Sequence, residues 1–362
     1  MEALPKVRSD SGSALTTWKT VALDVHTEWC QMAVISPQGE VLIELQVPTK
    51  PEELRRVVSG IPGPKRVVME NGPLSAMIHD ALEGLAEDVV SCDPTKNALV
   101  SRSDSSNDRL DARRLGTLSL VRATHEVYVP PEPYRTLRSL AHYDYVMARS
   151  VTRVKNQLKA LLRRYGIPCR GGGVYRKAGR KDLLSRLPNA CVRWQMQSLY
   201  RQLDGFRLER VRACRMLWKQ AKKVPAMKLI RTVPGLGPRT APTLAAWISD
   251  PDRFGSESRL ALYSGLGLKN DWTAGKQVKR ARASKRGNRE LKRALFLSAR
   301  GALRGSSALR ARYDARIAAG WEDRKAIRDV ARTILFVVCA VWRSGKEYDD
   351  TRVGTGGNDD AR

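Results

Sequence analysis

A chain of 362 residues carries 65 Lys or Arg against 37 Asp or Glu, a formal charge of +28. That length predicts two or three domains, and so positive a chain calls for an anionic polymer as its normal partner, nucleic acid first and an acidic membrane surface second. No apolar run reaches the roughly eighteen residues of a membrane span, and the start of the chain lacks a basic-then-apolar signal layout, so a cytoplasmic, non-membrane protein is expected.

Residues 1–18 are polar and Ser-rich and read as an unstructured N-terminus. From Val21 the pattern changes: two strands meet a turn at Pro37, Gln38 and Gly39, and a third strand runs from Val41 to Val47. A short helix is predicted over 51–60, an apolar strand over 66–71, a helix over 74–86, a strand over 88–94 and a helix from about Asp108. This order is an α/β layout around a mixed sheet. Three prolines mark a linker after Val127. Basic helical patterns then cover about 134–164 and 183–223, with a Gly-rich basic break at 169–182 between them, as in a coiled-coil hairpin. From Met227 a Gly-flanked turn precedes an apolar helix, a second turn–helix–turn covers 251–268, and the rest reads as mostly helical. The segment after Lys346 reads as an unstructured tail. The expected division is therefore 1–18, 19–126, 127–226, 227–346 and 347–362.

Six cysteines are scattered without a C-x-x-C pair, which argues against a zinc site or a disulfide framework. Four acids stand out instead. Asp24 lies inside an apolar strand, Glu70 ends another, and Asp108 and Asp111 are three apart, a spacing that puts both on one helix face. An acid within an apolar strand is costly unless paired or metal-bound. Magnesium takes oxygen ligands, and nucleases use such ions to stabilise the attacking and leaving oxygens of a phosphate. The same acids also allow a plainer reading: an ion pair for Asp24, a solvated strand end for Glu70, and a helix cap for Asp108 above Asp111.

Two further features point to phosphate. Val233-Pro234-Gly235-Leu236-Gly237 resembles a helix–hairpin–helix turn, whose free amides bind a DNA phosphate, and a simple packing corner fits it equally well. Residues 269–304 hold 12 Lys or Arg against Asp271 and Glu290 alone. Such charge density gives strong, salt-sensitive phosphate binding.

Taken in order, Asp24, Glu70, N-D-R-L-D-A at 107–112, V-P-G-L-G-P at 233–238 and A-G-K-Q with S-K-R-G-N-R-E-L-K-R-A-L at 274–295 resemble the IS110-family transposases, or bridge recombinases. The resemblance covers roughly 19–345. It implies a RuvC-like (RNase H-like) N-terminal domain whose acids Asp24, Glu70, Asp108 and Asp111 hold Mg²⁺, then a coiled coil and a C-terminal transposase domain. It implies a mobile-element recombinase, associated with the bacterial nucleoid, that assembles as a homo-oligomer, dimer or tetramer. Its partners would be donor and target DNA and a structured non-coding guide RNA, which carries the sequence choice. Nucleic-acid contacts are expected from Gly235, Gly237, Lys276, Lys279, Arg280, Arg282, Lys285, Arg286 and Arg289.

One position departs from the family. Its members carry a nucleophilic serine directly before the glycine ahead of the basic stretch, where this chain has Ala274 before Gly275. Either the serine has been lost, naturally or by engineering, or the register is one residue off and Thr273 is the nucleophile. Ser284 is a nearby hydroxyl that matches a different family position. Two other functions remain in view: a metal-dependent, structure-selective nuclease without a covalent intermediate, and a nucleic-acid-binding form without turnover.

Overall fold

The computed structural model describes residues 17–96, 108–273, 276–283 and 286–353. Two compact units divide the chain, Met1–Val129 and Pro130–Arg362.

In the first unit a six-stranded mixed sheet has the order β3-β2-β1-β4-β5-β6. Its strands are β1 (Lys19–Val25), β2 (Trp29–Ile35), β3 (Val41–Pro48), β4 (Lys65–Glu70), β5 (Asp88–Cys92) and β6 (Glu126–Val127). β1, β4 and β5 run parallel; β2 and β3 form the antiparallel side. The period of two along each strand sorts side chains between the two faces. Val21, Leu23, Val67 and Met69 join Leu54 and Val58 of α1 (Pro51–Ser59) and Ile78 and Leu82 of α2 (Ser75–Leu82) in one core. The alternate residues Ala22, Val68 and Val90 pack with Leu115 of α3 (Asp108–Leu120) on the other face. This is the α/β mixed-sheet layout expected from the strand and helix patterns.

Helix α3 lies very close to the sheet because of Gly116. A methyl group there would meet Ile35 Cδ1 at 2.5 Å and the Ala22 methyl at 3.1 Å. Arg113 and Glu44, 69 residues apart, form a two-point ion pair that links α3 to β3, with Nη2 donating to Oε2 at 2.6 Å. A larger residue at 116 has to lift the helix, and overpacking of this kind costs about 1–3 kcal/mol. Gly116→Val is therefore expected to lower the thermal midpoint and to weaken metal binding together, because the acids of α3 move with it. A variant with a lowered midpoint and unchanged metal affinity would contradict that coupling.

In the second unit, α4 (Tyr134–Arg164) and α6 (Ala190–Ala221) form a long antiparallel hairpin. Its outer half has its own core of Val154, Leu158, Leu162, Met196 and Leu203. The basic break between the helices is structured: a 3-10 turn at Gly173–Tyr175 and the short α5 (Arg180–Ser185) fold back on the hairpin. Arg180 grips Asp204 with bonds of 2.5 and 2.6 Å, and the Tyr200 hydroxyl donates to the Val174 carbonyl. At the root, Leu137, Ala141, Leu217 and Ala221 enter a larger core. That core is completed by α7 (Met227–Ile230), α8 (Thr240–Ile248), α9 (Glu257–Tyr263), α10 (Arg289–Ala302), α11 (Ala308–Ala318) and α12 (Asp323–Ser344).

Two sequence expectations change here. Leu268–Thr273 and Lys276–Ala283 pair as an antiparallel hairpin, β7 and β8, within the region expected to be mostly helical. Alternation of small and basic residues over 276–283 suits a strand as well as it suits a charged helix face. The expected tail is corrected at its start: residues 347–353 are structured, with the Tyr348 amide donating to Thr232 and Val353 buried, and 354–362 lie outside the described residues.

Candidate metal centre

Asp24 follows Ala22 by two residues on β1 and so shares the α3 face of the sheet. Glu70 bears the same relation to Val68 on β4. The two strands are parallel neighbours with Leu23 opposite Met69, which brings both acids to adjacent carboxyl ends. The loop after Glu70 is fastened by Ser75, whose hydroxyl donates to the Glu70 carbonyl at 3.2 Å and accepts the Gly72 amide at 2.7 Å.

The first turn of α3 stands over this edge. Ala112 and Leu115 are buried against the sheet, and Asp111 sits one turn before Leu115. Burial raises the Asp24 carboxyl above its usual range; His26 opposes this, and the charges of Asp108 and Asp111 push it further up. Burial also raises Glu70, helped by the charges of Asp24 and Asp111. Asp24 thus feels Asp108 and Asp111, and Glu70 feels Asp24 and Asp111. Four negative groups crowded on one edge repel each other, and a divalent cation is the natural relief.

A fifth group belongs to the cluster. The His26 Nε2 lies 3.3 Å from Asp24 Oδ2 and 3.8 Å from Asp108 Oδ1, and ligand atoms of these three residues fall within 4.8 Å of one another. Its ring packs beside Trp29 with centroids 4.3 Å apart. Sequence reasoning singled out the acids and passed over His26, because one histidine after a strand has no spacing partner to signal it. On the outer side, Arg114 holds Asp111 at 3.2 Å.

This geometry agrees with the comparisons. A family model for the DEDD transposase of IS110 elements, described as a transposase, matches residues 21–167. A second, described as the transposase of the IS116/IS110/IS902 family, matches residues 227–314. The chain belongs to the IS110 family of transposases. It is also similar to a 43.6 kDa protein of insertion element IS110 from Streptomyces coelicolor, 34% identical over 125 residues. That stretch is 34% of this chain and spans 31% of the relative's own length.

The remaining expected contacts of this IS110-family chain fall in its second unit. Lys276, Lys279, Arg280 and Arg282 are on β8, Thr273 ends β7, and Thr273 and Lys276 are opposite one another in register. Ala274 and Lys285 lie outside the described residues. Asn288 caps α10 by accepting the amides of Glu290 and Leu291, which sets Arg289 in its first turn, with Arg286 just before it and exposed. Gly235 and Gly237 are on the turn ahead of α8. The Gly237 amide donates to Thr240 Oγ1 at 2.9 Å, and Gly235 is pressed against the backbone of α10. These contacts fit the packing-corner reading of the turn, and nucleic-acid contact at Gly235 and Gly237 is carried forward as a proposal. Among the described residues no helix is long and apolar enough to cross a membrane.

Proposed function

We propose that this chain is a DNA transposase that cuts and rejoins strands of a mobile element, using a divalent-metal carboxylate centre in its first unit. The observation that carries this reading is the meeting of Asp24 and Asp108 with His26, their ligand atoms within 4.8 Å of one another, with Glu70 at the end of the neighbouring strand. Asp24, Glu70, Asp108 and Asp111 would hold the cation, and their all-oxygen character favours Mg²⁺. When bound, the cation supplies Lewis-acid stabilisation of charge on the phosphate oxygens. The residues themselves do the rest: Asp24 and Glu70 fix the centre to the sheet, Asp108 and Asp111 close it from α3, and His26 holds the Asp24 carboxylate in place.

The family pattern assigns strand transfer to a hydroxyl in the second unit, and the guide for target choice to a structured RNA. We carry both into the proposal, along with a homo-oligomer, dimer or tetramer, and a division of labour among 19–126, 127–226 and 227–346. In the covalent step the hydroxyl oxygen bonds to phosphorus, the strand's bridging P–O bond breaks, and the departing oxygen takes up a proton. Alanine at 274 has no oxygen for that step. As it stands the chain therefore binds nucleic acid without forming the adduct, unless Thr273 serves.

The test is a protein–DNA adduct that partitions with protein on phenol extraction, formed on flanking DNA with Mg²⁺ and any RNA that co-purifies. Ala274→Ser is expected to create the adduct. An adduct already present in the parent chain and abolished by Thr273→Ala moves the nucleophile by one residue. Metal-dependent cleavage with no adduct in either chain replaces the recombinase reading with that of a hydrolytic nuclease.

A further inference from the structure

In the second unit Asp144 is only 4% exposed, on α4 where it faces α6. A buried carboxylate must be paired, and this one is paired more than once. Arg210 Nε donates to Oδ1 at 3.2 Å and its Nη2 to Oδ2 at 3.4 Å, while Arg239 Nε lies 3.2 Å from Oδ1. Arg239 is itself tied to the Arg210 carbonyl at 3.1 Å. Arg293 of α10 completes the group: burial and the charges of Arg210 and Arg239 lower its guanidinium below the usual range, against the opposing pull of Asp144 and Tyr145. One carboxylate thus pairs two arginines, Arg210 and Arg239, and Arg293 is within reach of its charge.

The excess positive charge opens onto a groove of about 540 Å³ along α4. Tyr145, Arg149, Thr152, Arg153, Asn156 and Gln157 line it, with Arg293 on the far wall. They recur at the helical spacing of three and four, so they form one stripe. None of the lining residues is acidic. Twelve residues of helix span about 18 Å at 1.5 Å per residue, too long for one phosphate and suited to a run of them. The Tyr145 ring already has the guanidinium groups of Arg149 and Arg293 beside it, 6.0 and 5.9 Å from its centre. Arginines, a hydroxyl and amides are the donors that bind a backbone and leave bases unread.

We propose that this stripe is a docking track for the phosphodiester backbone of duplex DNA, with Asp144 as the positioning residue that holds its arginine root. The choice of DNA rests on the transposase reading above; the track itself rests on the arginines.

The full chain is titrated with labelled DNA duplexes of unrelated sequence, and with RNA duplexes of the same length, across a range of KCl concentrations, in EDTA so that cleavage plays no part. Arg149 and Arg153 are exposed, so Arg149→Gln/Arg153→Gln leaves the thermal midpoint unchanged. Each phosphate contact contributes about 0.9 to the slope of log affinity against log salt. The double variant is expected to flatten that slope by roughly 1.8, equally for every sequence. Arg201→Gln/Arg215→Gln removes the same charge from exposed positions of α6 outside the groove and is expected to change it less. An unchanged slope, an equal change in the control pair, or a loss confined to duplex RNA would overturn the track while leaving the transposase reading intact. A parent chain that fails to bind DNA would overturn both.

Discussion

Made in the Ala274→Ser chain, Asp24→Asn is expected to abolish metal-dependent DNA cleavage and, in the absence of metal, to make the protein more stable. Both effects come from one cause. Asp24 follows the fully buried Ala22 and Leu23 near the end of its strand, and Asp108, Asp111 and Glu70 add their charges around it. The asparagine keeps the shape and removes a charge that burial disfavours. Metal assistance is worth several kcal/mol at the transition state, and each 1.4 kcal/mol or so is a tenfold change in rate, so a loss of about a thousandfold or more follows. Cleavage is measured on flanking DNA with Mg²⁺ or Mn²⁺, and the midpoint by thermal unfolding in EDTA. Equal cleavage by Ala274→Ser with and without Asp24→Asn would remove the carboxylate centre from the mechanism.

The pH dependence has a definite sign. Asp24 and Glu70 have folded-state values above the ordinary carboxylate range, so between the unfolded and folded values the native state binds more protons. Metal-free stability therefore falls as pH rises through that window, and the cost is absent below it. Metal binding runs the other way, because the ligands must be ionised: affinity grows with pH by about tenfold per unit for each proton displaced. Asp24→Asn is expected to flatten both dependences, which separates a metal ligand from an acid that merely tolerates its site.

The mixed sheet was legible because its strands follow each other closely and their apolar residues run unbroken or alternate. Asp24 and Glu70 were visible for the same reason, as charges that interrupt or end such runs. What joins them was not. Gly116 appears in the sequence as a weak helix residue; its purpose, the approach of α3 to Ile35 and Ala22, exists only across the sheet. His26 acquires its meaning from Asp108, more than eighty positions away. The hairpin at 268–283 was hidden by its own arginines and lysines, since a high density of charge masks the period that separates strand from helix. Gly235 was visible as a turn glycine, but the gap it leaves for another helix was not.

Gly235→Ala is accordingly expected to unfold much of the second unit while sparing the first. The residue has φ +83°, a conformation that costs an L-residue with a side chain about 1–2 kcal/mol. A methyl group there would also stand 2.1 Å from the Ser298 carbonyl oxygen and 2.6 Å from the Ala302 amide nitrogen, both backbone atoms of α10. Neither can rotate away as a side chain would, so α10 has to move. Its buried face, Leu291, Leu295 and Ala299, holds the core that α8 and α12 share. Strain and overpacking together come to roughly 2–5 kcal/mol, a large part of the 5–15 kcal/mol that holds a typical domain together. Gly237→Ala is the informative contrast, because a methyl group at 237 meets nothing within 4 Å. Hydrogen exchange followed by mass spectrometry should report lost protection in α8, α10 and α12 for Gly235→Ala and near-parental protection for Gly237→Ala. If both variants instead kept their protection and lost DNA affinity together, the turn would be the phosphate cradle that its spacing resembles, and the packing account of Gly235 would be wrong.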